Sequence, residues 1–260
     1  MKLTVLSEAK AGKGFRSEHG LSFYIEVDRQ KTLFDTGASD IFLENAMKVG
    51  LNLDLTDRIV LSHGHYDHGD GLQYIDNKRL VCHPGCFVKR YRKQGSGNLG
   101  IALSKNEIER KFDLHMSEDP IQLSDHLFFL GEVPRNNDFE ARSTRYSLDN
   151  DKEDFIIDDS GLVCITGNGL VVISGCAHSG ICNMIEHAIR VTGIDRVYAV
   201  IGGFHLSAIN SQTRKTIEYL KKKDIQRILP SHCTMEPALS LFYEEFGENE
   251  VIAGSEIIFQ

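Results

Sequence analysis

Ser62-His63-Gly64-His65-Tyr66-Asp67-His68-Gly69 gathers three imidazoles and one carboxylate within six residues. Imidazole nitrogen and carboxylate oxygen are ordinary donors to zinc and to other first-row divalent cations. The run follows an apolar stretch, Arg58-Ile59-Val60-Leu61, that reads as a strand. A strand that ends in a tight turn delivers neighbouring side chains into one small volume. The spacing suits two cations better than one, with His63 and His65 serving the first and Asp67 and His68 the second. A solvated polar turn with some helix capping would need one aspartate, not a cluster of histidines.

Two cations need more donors, and three later histidines also follow apolar runs. Val171-Val172-Ile173-Ser174-Gly175-Cys176-Ala177 leads to His178, Val200-Ile201-Gly202-Gly203-Phe204 to His205, and Ile228-Leu229-Pro230-Ser231 to His232. In α/β folds, strand ends converge at one edge, so donors from separate strands can meet there. Cys176 and Cys233 lie beside these candidates and could support a ligand or line a substrate wall. His83, before Pro84, is expected to line the pocket or a neighbouring surface. His19, His115, His126 and His187 have no ligand-like context and read as ordinary surface or core histidines.

The elements that must position these groups are legible from periodicity. Strands are predicted at residues 2–6, 21–27, 31–35, 59–62, 80–83, 126–130, 162–166, 170–174, 197–201, 227–229 and 256–259. A helix capped by Ser39-Asp40 runs to Gly50, and Ser104 with Glu107 forms a capping box before Ile108. Further helices are predicted at 181–191, 212–223 and 238–246. Strands outnumber helices, which suggests two packed sheets with helices outside, a four-layer αββα sandwich. No internal boundary divides residues 1–260, so a single domain is expected. The least regular part is about 95–159, beginning at Gly95-Ser96-Gly97-Asn98, and such segments often serve as binding loops.

Composition is that of an ordinary soluble globular protein: 260 residues, 41% hydrophobic and 25% charged. A net charge of −8 makes a nucleic-acid partner unlikely and does not itself point to the small anionic substrate expected on other grounds. No apolar run is long enough to span a bilayer, and the first residues do not read as an export signal, so a cytoplasmic location is expected. Six cysteines without zinc-ribbon spacing are expected as free thiols. Oligomeric state is not readable.

The complete His-x-His-x-Asp-His run resembles the hallmark of the metallo-β-lactamase superfamily. Within it, the chain looks most like the metal-dependent hydrolases grouped with archaeal dihydropterin-ribofuranosylaminobenzene-phosphate synthases. The pieces that carry the likeness are Leu33-Phe34-Asp35-Thr36-Gly37, the His cluster, Gly131-Glu132-Val133-Pro134-Arg135 with Phe139-Glu140, Gly175-Cys176-Ala177-His178-Ser179-Gly180, Gly202-Gly203-Phe204-His205-Leu206 and Pro230-Ser231-His232-Cys233-Thr234. The resemblance implies one metal on His63, His65 and His178, a second on Asp67, His68 and His232, and Asp35 orienting a ligand from behind. It implies two divalent ions, zinc first, with manganese or iron compatible.

Two departures matter. Most relatives carry a bridging aspartate where this chain has His205, which could ligate metal or polarise substrate. A neutral imidazole cannot bridge two cations, so a less tightly held second metal is expected. Met235-Glu236 also departs from the usual continuation after Cys233-Thr234 and alters the expected pocket wall beside His232.

The expected activity is hydrolysis of a small phosphorylated or pterin-like compound by metal-activated hydroxide, with Asp67 and His205 at the chemistry. The alternatives are transfer of a dihydropterin-methyl group from its pyrophosphate to an aminobenzene ribofuranosyl phosphate, and a non-catalytic metal sensor. Anion contacts are expected from the backbone of Ser179-Gly180 at a helix start and from Arg135. The Lys89-Arg90-Tyr91-Arg92-Lys93 run, Lys105 and Arg142 are further possibilities, the run reading otherwise as a solvated helix end.

Overall fold

The computed structural model describes residues 1–94, 97–149 and 151–260; the Gly95-Ser96 pair that opens the irregular segment lies outside them. The first half of the chain forms β1 (Lys2–Ser7), β2 (Ser22–Val27), β3 (Gln30–Phe34), α1 (Ile41–Lys48), β4 (Arg58–Val60), α2 (Tyr66–Gly69), β5 (Arg79–Cys82), β6 (Arg90–Arg92), α3 (Lys105–Lys111), β7 (Asp113–Met116), β8 (Ile121–Gln122) and β9 (Leu127–Phe129). The second half adds β10 (Tyr146–Leu148), β11 (Glu153–Asp154), β12 (Gly161–Thr166), β13 (Gly169–Ser174), α4 (Ile181–Thr192), β14 (Val197–Gly203), α5 (Ser211–Lys222), β15 (Arg227–Ser231), α6 (Ala238–Phe246) and β16 (Glu256–Ile258).

Two large sheets result, in strand orders β16-β1-β2-β3-β4-β5-β7 and β15-β14-β13-β12-β9-β8. The period-two alternation of each strand decides which layer its side chains join. Leu3, Val5, Phe23 and Ile25 of the first sheet pack against Val171, Ile173, Ile201 and Leu229 of the second. Their sequence neighbours face outward. Leu6, Tyr24 and Leu33 pack on Phe42 and Ala46 of α1 and Ile108 of α3. Leu170, Val172, Val200 and Ile228 pack on Ile181 and Ile185 of α4, Ile217 of α5 and Phe242 of α6. This is the four-layer αββα sandwich that the periodicity predicts. Each buried Leu, Ile, Val or Phe contributes about 1.5–3 kcal/mol of transfer free energy, so the layer order is strongly specified.

Strand direction explains the clustering of functional groups. β3, β4, β5 and β7 are mutually parallel neighbours, and so are β13, β14 and β15. Parallel strands present all their carboxyl ends at one edge. Asp35 and His63 therefore emerge together from one sheet, and His178, His205 and His232 emerge together from the other.

Three expectations are corrected. Of the Ser39-Asp40 pair, Ser39 Oγ accepts from Ile41 N at 3.3 Å as a cap should, whereas the Asp40 side chain makes no capping hydrogen bond. The 89–93 run is not a solvated helix end: Arg90–Arg92 is a strand that joins β10 and β11 in a three-stranded sheet. The 95–159 segment also holds more regular structure than expected, including β7, β8 and the β10 and β11 strands of this small sheet. Among the described residues, no helix is long and apolar enough to cross a membrane.

Candidate metal centre

The first cluster is shaped by a turn with no spare room. β4 ends at Val60, and the Ser62 N–H donates to Asp35 Oδ1 at 2.7 Å. Gly64 N donates to Asp158 Oδ2 at 2.8 Å, and a Cβ on Gly64 would stand 1.9 Å from the Cys86 carbonyl oxygen. Only glycine fits between His63 and His65. Asp67 and His68 then fall in the single turn of α2, one step beyond His65.

His63, His65 and His178 offer donor atoms that all lie within 4.8 Å of one another, with His63 Nε2 and His65 Nδ1 2.9 Å apart. On the adjacent side, His68 Nε2 and His232 Nε2 are 3.0 Å apart, and Asp67 Oδ2 is 3.5 Å from His232 Nε2 and 4.0 Å from His68 Nε2. Donors sharing a tetrahedral cation at about 2.0–2.2 Å lie roughly 3.3–3.6 Å apart, so both sets converge as ligand sets do.

The protons are arranged to match. Ser62 Oγ donates to Asp35 Oδ2 (2.7 Å), which also accepts from His68 Nδ1 (2.7 Å). With its one proton committed, Ser62 Oγ accepts from His63 Nδ1 at 2.9 Å. Both rings then carry their lone pair on Nε2, toward the centre. His178 Nε2 is buried without a hydrogen-bond partner among the described residues. A buried unpaired nitrogen is costly unless a ligand meets it, so the donor chemistry and geometry fit two divalent cations.

Electrostatics agree. Burial lowers His63 and His178 far below the ordinary imidazole range, reinforced by the neighbouring histidines, and pushes His65 down to about 3. These three rings are neutral at pH 7. Burial works to raise the Asp67 carboxyl, yet His68 and His232 hold it well below the usual carboxylate range. Burial works to lower His68, but Asp35 and Asp67 hold it above its ordinary value.

Backbone strain marks the same places. Asp35, Ala177, His205 and His232 all adopt positive φ, between 51° and 58°. Non-glycine residues are rarely held there, and such strain clusters at functional sites.

Cys176 Sγ lies 3.2 Å from His68 Nε2, and Cys233 Sγ donates to the Cys176 carbonyl at 3.5 Å, so both thiols adjoin the centre as expected. All six cysteines are free. His205 faces His178, ring centres 4.3 Å apart, and its Nε2 is 3.3 Å from the Tyr146 hydroxyl. It joins none of the donor groups found among the described residues and lines the cleft beside them. Burial, then Arg145 and His232, lower it to about 4.

Several expected contacts are occupied elsewhere. Ser179 N and Oγ donate to Asp159 Oδ2 at 2.9 and 2.5 Å. Glu140 caps the start of α4, accepting from Cys182 N and Asn183 N at 3.0 Å each, so the helix end behind Gly180 already holds the protein's own carboxylate. Arg135 Nη2 donates to the Phe155 and Ile156 carbonyls, 2.9 Å each. Arg90 is buried and paired with Asp158 at 2.9 Å, Lys105 is exposed beside Glu109, and His83 Nδ1 accepts from Gly85 N. None of these is available to a substrate in the cleft. Arg142 lines a second cavity instead.

The cleft over the centre presents Arg92, Arg145 and Tyr146 from the small sheet and its approach. An adjoining cavity shares Arg145, Tyr146, His178, His205 and Ser207 with it and adds Phe139, Phe155 and Asn210. Sequence reasoning missed Arg145 and Tyr146 and named Arg92 only within its run. It also missed His19, whose Nε2 is 3.3 Å from Asp67 Oδ2 and whose ring centre is 5.2 Å from that of His232. A His-Gly pair before an apolar strand was the only local hint.

Residues 17–86 match the model of the metallo-beta-lactamase superfamily. The chain is 38% identical to the 7,8-dihydropterin-6-methyl-4-(beta-D-ribofuranosyl)-aminobenzene-5'-phosphate synthase of Methanocaldococcus jannaschii, covering 96% of this chain and 92% of that one. It is similar to the crystal structure of Tm1679, described as a metal-dependent hydrolase of the beta-lactamase superfamily, with a TM-score of 0.88, 31% identity and coverage of 100% and 99%. A diphosphatase of the PhnP family shares the fold at a TM-score of 0.57 and 14% identity, over 100% of this chain and 98% of that one.

Proposed function

Because the chain belongs to the metallo-β-lactamase superfamily, we propose that it is a metal-dependent transferase. It would join a dihydropterin-methyl group, delivered on its pyrophosphate, to the amine of an aminobenzene ribofuranosyl phosphate. The observation that carries this reading is the pair of cavities sharing one wall at the metal centre. Two organic substrates need two adjoining compartments, whereas hydrolysis needs one and a water. The 38% identity to the archaeal synthase along nearly the whole chain supports the same reading.

His63, His65 and His178 would hold one divalent cation and Asp67, His68 and His232 the other, with zinc, manganese and iron all compatible. Bound there, such cations supply Lewis acidity toward a departing pyrophosphate, and toward water a lowered pKa. Arg92 and Arg145 neutralise phosphate charge from the cleft wall. Tyr146 and Phe155 offer flat apolar faces to a bicyclic ring. As the amine nitrogen forms its bond to the methyl carbon, the carbon–oxygen bond breaks and its electron pair leaves with pyrophosphate. The proton released from nitrogen goes to His205 Nε2, which is neutral and faces both cavities.

Hydrolysis of a phosphorylated or pterin-like compound is the second reading, favoured by the 31% identity to a protein described as a metal-dependent hydrolase. Metal-loaded protein is incubated with the dihydropterin-methyl pyrophosphate, with and without the acceptor, and pyrophosphate and coupled product are measured. Pyrophosphate release that requires the acceptor and matches product supports transfer. Equal release without acceptor makes the protein a hydrolase, and metal uptake with neither reaction returns the non-catalytic alternative.

A further inference from the structure

The Glu18-His19-Gly20-Leu21 turn between β1 and β2 belongs to none of the metal motifs, yet it is fixed to β1, to the loop after β3 and to Asp67. Glu18 Oε1 accepts from Ser7 Oγ at 2.8 Å and Ala38 N at 3.1 Å, and Oε2 accepts from Ser39 Oγ at 2.6 Å. Leu21 N donates to the carbonyl of Asp67 itself at 3.1 Å, and Gly37 N donates to Leu21 O at 2.9 Å. A Cβ on Gly20 would come within 2.9 Å of Ala38 N and 3.0 Å of Asp67 O, so only glycine lets the turn lie this close. The backbone is thus locked while the His19 side chain remains 54% exposed.

A half-exposed histidine on a locked turn is free to face solvent, but this one faces inward. His19 Nε2 lies 3.3 Å from Asp67 Oδ2, and His19, Asp67 and His232 offer donor atoms within 4.8 Å of one another. The His19–His232 ring centres are 5.2 Å apart, close to the 4.7 Å of His68–His232 and the 4.9 Å of His63–His178. Two imidazoles bound through nitrogen to one cation at about 2.0–2.1 Å have ring centres roughly 4.5–5.2 Å apart. We infer that His19 is a fourth ligand of the second cation, completing a set of three imidazoles and one carboxylate with Asp67, His68 and His232. The inference rests on reading the centre as a two-cation site.

The metal-free full chain is titrated with Co²⁺ alone and followed by calorimetry and visible absorption. The wild type takes up two equivalents. His19→Ala and His19→Gln keep the first site unchanged, and the second weakens by more than the ~10–100-fold that loss of an outer partner costs. The visible spectrum of the second equivalent changes with it. Glutamine retains an N–H able to donate to Asp67, so a role confined to holding that carboxylate would leave His19→Gln like the wild type. That result, or unchanged second-site binding in His19→Ala, overturns the inference while the two-cation reading stands. A wild type that binds fewer than two equivalents overturns both.

Discussion

Replacing Asp35 with asparagine separates positioning of the metal ligands from stability of the fold. Asp35 is fully buried and accepts three hydrogen bonds of 2.7 Å, from Ser62 N, Ser62 Oγ and His68 Nδ1. Asparagine is nearly isosteric and tolerates the φ of 58° at this position. Its single oxygen can satisfy the Ser62 N–H, and its NH₂ group then faces Ser62 Oγ and His68 Nδ1. His68 must accept at Nδ1 and carry its proton on Nε2, the atom directed at the second cation. Loss of a bond to a charged acceptor costs about 1.5–3 kcal/mol in the metal-free fold. The tautomer change weakens the second cation by about 10–100-fold, with the first, which depends on His63, less affected. Chelator competition measures both affinities, and urea denaturation of the metal-free protein measures stability. Second-site affinity within twofold of wild type, beside a clear loss of stability, would refute the tautomer argument and leave Asp35 a purely structural residue.

The other predictions concern neighbouring contacts. Arg90→Met should cost about 3–5 kcal/mol by leaving the buried Asp158 without its partner, and Asp158→Asn less, because Asp154 still lies 3.5 Å from Arg90 Nε. The double variant should recover part of that loss, and additive losses in a urea double-mutant cycle would count against a coupled pair. Gly64→Ala meets the Cys86 carbonyl and should abolish tight metal binding at the first site, as read by metal content after dialysis. Arg145→Gln should raise KM for a phosphorylated substrate about tenfold or more while leaving Tm within a degree or two, because a charged contact contributes about 1.5–3 kcal/mol. Burial raises the Glu140 carboxyl above its ordinary 4.5, so its protonated form favours folding and that contribution fades as pH climbs through the folded value. The stability advantage of wild type over Glu140→Gln should therefore shrink between pH 5 and pH 8 in urea melts; a widening gap would reverse the sign.

Periodic burial made the two large sheets readable. Leu170, Val172 and their inward partners Val171 and Ile173 alternate as a two-sided buried strand must, and helices such as Ala238–Phe246 coincide with their predicted bounds. The histidines were readable because each follows such a strand. The small sheet was not, since Arg90–Arg92, Tyr146–Leu148 and Glu153–Asp154 carry no apolar alternation and exist through pairing with one another. The anion site expected at Ser179-Gly180 failed for a related reason. Ser179 N is taken by Asp159 and Gly180 N by the Ala177 carbonyl, while Glu140 takes the next amides, those of Cys182 and Asn183; Asp159 and Glu140 come from well upstream, where no local pattern announces them. His19 was invisible because its placement depends on Glu18 reaching Ser39 and on backbone contact with Asp67. Long-range packing, not spacing, puts it there.

Donors from the two sheets meet across the seam of the sandwich: His63, His65, Asp67 and His68 on one bank, His178 and His232 on the other. A cation gripped from both banks would act as a rivet between halves that otherwise adhere through side-chain packing and a few hydrogen bonds such as Ser160 N to Ser62 O. Occupancy at a hundred times the dissociation constant adds about 2.7 kcal/mol to the folded state for each site. Starvation for metal would therefore loosen the whole sandwich as well as silence its chemistry, and the protein's lifetime would report the supply of its ions.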